Sequence, residues 1–343
     1  MAFLTYSDET YRFAYAPEAT FGTAITDDAS FKEILFPKGV FVGSGVEMTD
    51  LDLNRASRLQ NLADIHVDAT SKGVEIVVPE MVVTKDRLAD LLYACMQNRT
   101  TQGAATAYQK VYKMHASQPD FTASAGMFFT LAAYSPIAAK SYRVTSCIVK
   151  SLEIAAEKGT GPAVLVKVKN LTILGKKLVP GATLVPASWG AQGTSRFNSY
   201  AFTFTDITAS NTAIPWMKFS CKLDNGARVN DLDSDGTPKT YFLDPPKMSA
   251  ATVQVTHWYN ADTAGTVRDF MAGHIAATAV QFKLETGTTG NDGFLSLAFT
   301  GVISENPQGS ENRELTVPVS WICGNSGAND AVAITIADSI SQT

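Results

Sequence analysis

Three aspartates, Asp231, Asp233 and Asp235, have the clearest spacing for chemistry in this sequence, because they alternate and are followed by Gly236. This arrangement is typical of the start of a calcium-binding loop, which presents oxygen ligands at alternating positions and a bidentate carboxylate at its twelfth position. The twelfth position is Phe242, and a lysine stands where a water-mediated ligand is expected. We therefore interpret the run as a solvated acidic turn and retain it only as a weak calcium candidate.

Other residue types that could carry catalysis or bind a cofactor are not spaced to do so. The sequence has no GxSxG, HExxH or Walker motif, and Gly159 and Gly161 join two predicted strands rather than open a helix. The cysteines form no CxxC pair, which favours buried free thiols. The histidines show no metal-ligand spacing, which favours packed or surface side chains. These residues are Cys95, Cys147, Cys221, Cys323, His66, His115, His257 and His274. We predict no catalytic residues, no cofactor and no metal, although a site assembled only by the fold stays open.

The composition indicates a β-rich globular protein that is not a dedicated nucleic-acid binder. Of its 343 residues, 45% are hydrophobic and 18% are charged, and the formal net charge is -5. This length suffices for two domains, and no stretch concentrates the lysine and arginine that phosphate neutralisation needs. The N-terminus lacks a secretory signal pattern and no apolar run reaches membrane-spanning length, so we expect no membrane segment and a cytoplasmic location before assembly.

Residues 74–98 are similar to residues 253–274 at a constant offset, which pairs Val74 with Val253 and Asp90 with Asp269. Each copy has the pattern of a β-rich run, a capping threonine and a short amphipathic helix. An internal repeat of this kind predicts two related domains, each with one helix.

The first predicted helix begins after Thr84, whose hydroxyl could accept hydrogen bonds from the free amides of the opening turn. An apolar stripe at spacings of three and four follows, formed by Leu88, Leu91, Leu92 and Cys95. In the second copy Thr263 takes the capping position, and the stripe is formed by Val267, Phe270, Met271 and His274. Both patterns predict a helix that buries one face.

The chain divides into an N-terminal arm, two β domains and a linker. Residues 1–38 have no clear period, and their aromatic side chains must be buried on this subunit or on a neighbour. These assembly-arm candidates are Tyr11, Phe13, Tyr15 and Phe21. Residues 39–175 are the first predicted domain, residues 176–196, rich in Pro and Gly, are the linker, and residues 197–343 are the second domain.

The segment YAPEATFGT at residues 15–23 resembles the E-x-T-x-G-T start of the tail tube proteins of long, non-contractile bacteriophage tails. The helix at residues 88–96, a long hairpin at residues 146–174 and the stretch SCKLDNG at residues 220–226 are also similar to this family. The resemblance is one of overall pattern and extends over nearly the whole chain. Within this family, the sequence is most similar to the two-domain, trimer-forming type. The acidic run and the length of the linker depart from the pattern of the family.

The resemblance implies a mainly β fold with short helices, in which two similar β-sandwich or β-barrel domains each carry one α-helix, with an extended N-terminal arm. It implies a structural virion protein, not an enzyme, whose trimeric, pseudo-hexameric rings stack into the hollow tail tube. The implied partners are further copies of the chain, a tape-measure protein, tail-tip or initiator and terminator proteins, and double-stranded DNA that passes without specific binding. The alternative is a β-rich, calcium-dependent binding or adhesion protein of a virion or cell surface.

The wall of such a tube must let DNA slide, because each phosphate contact with lysine or arginine adds salt-dependent affinity. We expect the hairpins at residues 147–174 and 279–303 to form this wall. Its charged candidates are Lys150, Glu153, Lys167, Lys169, Lys283 and Glu285. The lysines are expected to point outward or to have neighbouring carboxylates such as Glu153. The N-terminal arm and the polar connection at residues 50–63 are the expected contacts between rings.

Overall fold

The computed structural model of the chain describes residues 11–37, 40, 43–44, 47–50, 65–68, 74–102, 108–115, 126–135, 141–158, 165–208, 212–232, 238–243, 251–258, 279–287, 294–304, 310–311, 314–325 and 330–338. Within these ranges the protein is mainly β, which confirms the predicted fold class. Its β-branched and aromatic residues fit the pleated, half-buried surface of strands. The polar connection at residues 51–63 and the second predicted helix at residues 263–274 lie outside the described residues.

The strands in chain order are β1 (Arg12–Pro17), β2 (Lys32–Ile34), β3 (Gly43–Ser44), β4 (Glu47–Asp50), β5 (Ile65–Asp68), β6 (Val74–Val82), β7 (Gln97–Gln102), β8 (Tyr108–Met114), β9 (Phe129–Tyr134), β10 (Tyr142–Glu157), β11 (Lys167–Gly175), β12 (Lys177–Pro180), β13 (Thr203–Asp206), β14 (Thr212–Ala213), β15 (Lys218–Asp224), β16 (Ala227–Leu232), β17 (Pro238–Leu243), β18 (Ala251–Trp258), β19 (Val280–Thr286), β20 (Leu295–Ile303), β21 (Ser310–Glu311), β22 (Glu314–Cys323) and β23 (Val332–Asp338). Helix α1 (Lys85–Met96) is the single α-helix among the described residues. Short 3-10 helices lie at Asp28–Ser30, Pro186–Ser188 and Ser199–Ala201.

Strand β10, with 16 residues, takes part in two sheets. Its first part pairs with β9 and β12, and its second part pairs with β11 and β15. The register shifts at a bulge between Val144 and Cys147, where Ser146 has a φ of 49°. Because a bulge bends a strand and increases its twist, one strand can change partners and join the two sheets.

A large sheet connects the first and second halves of the sequence. It has the order β3, β6, β11, β10, β15, β18 and β22, and it continues through β20 to β19 and β23. The pairs β10–β15 and β8–β23 both join strands that are far apart in sequence. The two predicted domains therefore share backbone hydrogen bonds, and their exact division stays a prediction.

Helix α1 packs against the inner side of this sheet. The predicted apolar stripe is confirmed, because its side chains are at most 3% exposed: they are Leu88, Leu91, Leu92 and Cys95. Thr84 takes the N-cap position, but its side chain makes no capping hydrogen bond, so this part of the prediction is wrong. Thr84 is fully buried, and its main chain forms an isolated β-bridge with Arg196. The backbone of Thr84, rather than its hydroxyl, therefore fixes its position.

The strand part of the internal repeat has the same orientation in both copies. β6 buries Val74 and Ile76, and β18 buries the corresponding Val253 and Val255. Alternation with a period of two places one face of each strand in the core. The sequence repeat therefore corresponds to two strands of the same sheet with matching inward faces.

The N-terminal segment is part of the folded body from residue 11 to residue 37, which differs from the expected extended arm. β1 lies between β2 and β9, and it buries Phe13 and Tyr15 in the main core. The alternating aromatic residues are a strand pattern, but their sheet partner β9 lies more than a hundred residues later in the chain. Residues 1–10 lie outside the described part of the chain.

The predicted linker also packs against the first half of the chain. β12 pairs with β10, and Trp189 packs against Phe31 with a ring-centroid distance of 6.3 Å. The guanidinium of Arg87 in α1 donates to the carbonyl oxygens of Gly190 and Ala191 at 3.3 and 3.1 Å. A segment rich in Pro and Gly is thus fixed by contacts with β10, the N-terminal segment and helix α1.

Candidate functional site

The outer side of strands β6, β11, β10 and β15 carries charged side chains in a regular arrangement. Alternate residues of each strand enter the core, such as Ile154 in β10 and Val168 in β11. The intervening residues of the same strands therefore face outward. We call the outward set the charged face, and it consists of Glu80, Glu153, Glu157, Lys167, Lys169, Lys218 and Lys222. β6 and β10 contribute the glutamates, and β11 and β15 contribute the lysines. The sign of the charge therefore alternates from strand to strand.

One row of directly opposed residues crosses all four strands of the charged face. Glu80 lies opposite Lys169, Lys169 lies opposite Glu153, and Glu153 lies opposite Lys222. Opposed residues on neighbouring antiparallel strands have Cβ atoms about 5 Å apart, so their side chains interact. Each lysine of this row consequently has a carboxylate on an adjacent strand.

Glu80 makes the closest ion pairs of the charged face. Its Oε1 lies 2.6 Å from Nζ of Lys167, and its Oε2 lies 3.7 Å from Nζ of Lys169. The hydrogen bond from Lys167 lowers the pKa of Glu80, and the charges of both lysines add to this effect. Glu80 is therefore ionised at neutral pH and forms ion pairs with two lysines at once.

The carboxylates of β10 are held more loosely than Glu80. Oε1 of Glu157 lies 3.9 Å from Nζ of Lys218, and Glu153 accepts a hydrogen bond of 2.9 Å from Asn170. A shallow cavity of about 220 Å³ lies over β10, between the lysines of β11 and β15. These ion pairs are open to solvent, so dissolved salt screens them.

The structure brings together part of the predicted wall set. Three candidates belong to the charged face: Glu153, Lys167 and Lys169. Lys150 lies beside them on β10, next to a second bulge. Lys283 and Glu285 form an ion pair of 2.9 Å with each other on β19, which pairs with β13 and β20. They therefore belong to a different part of the sheet, and the role of all six residues as a lumen wall stays a prediction.

Sequence reasoning missed four residues of the charged face: Glu80, Glu157, Lys218 and Lys222. The alternation of Lys218 and Lys222 with buried residues in β15 is a signal that could have identified them. The signal for Glu80 is weaker, because it follows Pro79 where the alternation of β6 changes phase. Its partners on β11 lie almost ninety residues away and follow from the strand register alone.

Glu18, in the motif at residues 15–23, is the centre of a buried hydrogen-bond network. Its carboxylate accepts hydrogen bonds from Oγ1 of Thr130 at 2.7 Å and from the backbone amide and hydroxyl of Ser146, both at 2.8 Å. Oγ of Ser146 accepts in turn from the amide of Gly22, which has a φ of 84°. Burial raises the pKa of Glu18, and the hydrogen bonds oppose this shift. The motif thus fastens the N-terminal segment to the bulge in β10.

Tyr15 and Asp90 connect β1 to helix α1 beside a second cavity of about 340 Å³. The hydroxyl of Tyr15 donates to Asp90 at 2.6 Å, and Nζ of Lys32 lies 3.1 Å from the same carboxylate. Burial raises the pKa of Tyr15, and the charge of Asp90 adds to the shift. Tyr15 is therefore a protonated donor that positions the helix against the strand.

The other predicted arm aromatics pack within this chain. Tyr11 stacks near Phe13 with ring centroids 6.3 Å apart, and Phe21 packs against Phe128 with centroids 4.7 Å apart. The aromatic anchors therefore stabilise the fold of the same subunit. A role for Tyr11, Phe13, Tyr15 and Phe21 in contacts between subunits stays a prediction.

The calcium candidate falls largely outside the described part of the chain. Asp231 lies in β16, whereas Asp233 and Asp235 are outside the described residues. Among the described side chains, no group of three or more His, Cys, Asp or Glu residues is placed to hold a metal ion. All four cysteines are buried and free. No helix in the described ranges is long and apolar enough to cross a membrane.

A protein-family model described as "Phage tail tube protein" matches residues 11–323. The match spans the Glu18 network and the whole of the charged face. No individual protein with a curated description matches the sequence.

Proposed function

The chain belongs to the phage tail tube protein family, and from this premise we propose that it self-assembles into the hollow tube of a long, non-contractile tail. In this proposal three copies form a ring with pseudo-sixfold symmetry, because each copy contributes two similar halves. The rings stack, and double-stranded DNA is delivered to the host through the lumen. The protein is a structural component without catalysis that assembles in the host cytoplasm and remains in the virion tail.

The observation that carries the proposal is the two-sided sheet of β6, β11, β10, β15, β18 and β22. Its inner side packs in the main core with helix α1, and its outer side includes the charged face. Copies that continue this sheet side by side would close it into a barrel, which removes the free edges that a single sheet leaves. The charged face would then line the lumen.

Two strands of this sheet offer suitable edges within the described residues. β6 pairs with β11 along its length, but with β3 only at Val74 and Glu75. β22 pairs with β18 on one side, and residues 316–319 have no strand partner on the other side among the described residues. Pro79 and Pro318 each remove one hydrogen-bond donor from these strands, which limits uncontrolled pairing of free subunits.

Stacking of the rings is a head-to-tail contact, and such a contact propagates into a filament when it does not close. The filament therefore needs partners that set its start, its length and its end. In our proposal a tail-tip or initiator complex starts the tube, a tape-measure protein sets its length and a terminator protein ends it.

Electron microscopy of the purified protein at high concentration tests the proposal. We expect hollow rings or tubes whose end-on class averages show threefold and pseudo-sixfold symmetry. A parallel sample with the tail-tip complex separates a subunit that needs an initiator from one that cannot polymerise. Compact monomers in both samples would contradict the proposal.

A further inference from the structure

The ion pairs of the charged face are too exposed to contribute much to the folding stability of the protein. The side chain of Glu80 is 45% exposed, and those of Lys167 and Lys169 are each 39% exposed. Solvent-exposed ion pairs contribute between about 0 and 1 kcal/mol to folding. What Glu80 does change is the net charge of the β6–β11 side of the face, which falls from the +2 of Lys167 and Lys169 to +1.

Without its carboxylates the charged face would be a basic surface on a rigid sheet. Alternate residues on one strand are about 7 Å apart, and β11 and β15 lie about 10 Å apart on either side of β10. Lys167, Lys169, Lys218 and Lys222 therefore occupy a compact patch. A DNA duplex presents one negative charge for about every 1.7 Å of its axis, so several of these lysines could contact phosphates together.

We infer that Glu80 is the residue that prevents this face from binding the phosphate backbone of DNA, by holding Lys167 and Lys169 in ion pairs. This inference deepens the proposed function and rests on it for its biological meaning, since DNA must pass along the tube wall. Glu153 and Glu157 act in the same direction on the β10 side, but Glu80 is the carboxylate within ion-pair distance of two lysines.

The test compares DNA binding by wild-type subunits and by the isosteric variant Glu80→Gln. Fluorescence anisotropy with a labelled 20-base-pair duplex of arbitrary sequence measures the affinity between 50 and 200 mM salt. We expect the variant to bind about tenfold more tightly at 50 mM, and to lose this gain by 200 mM. The slope of log K against log salt should steepen by about 1 to 2, since two lysines are released.

Two further variants show whether the effect belongs to these residues. Glu285→Gln makes the same change in net charge and frees Lys283 from an ion pair of 2.9 Å on β19, so it controls for charge alone. The triple variant Glu80→Gln, Lys167→Gln, Lys169→Gln should return to the wild-type affinity. Unchanged binding by Glu80→Gln, an equal gain in Glu285→Gln, or tight binding by the triple variant would each overturn the inference.

This experiment is independent of tube assembly, because it uses subunits. If subunits form no tubes but Glu80→Gln gains affinity, the proposed function fails and the electrostatic role of Glu80 holds. If tubes form and Glu80→Gln gains no affinity, the inference fails alone.

Discussion

Nδ2 of Asn225 lies 2.7 Å from the carbonyl oxygen of Val149, so a side chain from the second half of the chain satisfies a backbone group beside a bulge in β10. The same amide donates to the carbonyl oxygen of Cys95 near the end of helix α1, at 3.1 Å. The backbone N–H of Asn225 also donates to the carbonyl oxygen of Lys150 at 3.0 Å. Asn225 therefore joins helix α1, β10 and the turn after β15 at one buried point.

Asn225→Asp should destabilise the protein strongly. The substitution keeps the acceptor that binds the amide of Ala227, but it replaces two donated hydrogen bonds by a carboxylate oxygen that faces the carbonyl oxygens of Cys95 and Val149. We expect a loss of more than about 3 kcal/mol in the free energy of unfolding, measured by urea denaturation.

Asn198→Asp provides the matched control for this substitution. Asn198 is exposed and caps the 3-10 helix at Ser199–Ala201 by accepting a hydrogen bond of 3.0 Å from the amide of Tyr200. Aspartate caps as well as asparagine, so the change should stay within about 0.5 kcal/mol. Similar losses in both variants would show that Asn225 does not have the proposed joining role.

Glu18→Gln should separate the N-terminal segment from the bulge in β10. The carboxylate accepts from Thr130 and twice from Ser146, whereas an amide would turn one NH2 group toward these donors. We expect a loss of about 1 to 3 kcal/mol in the free energy of unfolding. The exposed Glu75→Gln, on β6, should change it by less than about 0.5 kcal/mol, and an equally small effect at Glu18 would contradict the network.

Helix α1 and the networks around it show which features a sequence can predict. The stripe of Leu88, Leu91 and Leu92 was predictable, because a helical period depends on residues three and four apart. The role of Glu18 was not, since Thr130 and Ser146 follow it by 112 and 128 residues. The lysine partners of Glu80 likewise follow from the register of β6 on β11, which local patterns do not contain.

Leu91→Ala should leave a cavity between helix α1 and the core. Leu91 is 3% exposed, and removing a buried leucine side chain costs about 2 to 5 kcal/mol, so the urea midpoint should fall accordingly. Val77→Ala removes an apolar side chain that is 53% exposed on the outer side of β6, and it should have an effect below about 0.5 kcal/mol. Equal midpoints for the two variants would show that the helix face is not buried.

His257 should make the protein less stable in acid. The side chain is fully buried, Nδ1 donates to the carbonyl oxygen of Pro215 at 2.7 Å, and burial lowers the pKa of His257 to about 4. Between this value and the unfolded pKa of about 6.5, the unfolded chain binds more protons, so the free energy of unfolding falls as pH is lowered. The contribution of His257 is about 3 kcal/mol between pH 7 and pH 4. His257→Gln keeps a donor for Pro215 but cannot titrate, so urea denaturation at both pH values should show a smaller loss than in wild type, and parallel losses would contradict the assignment.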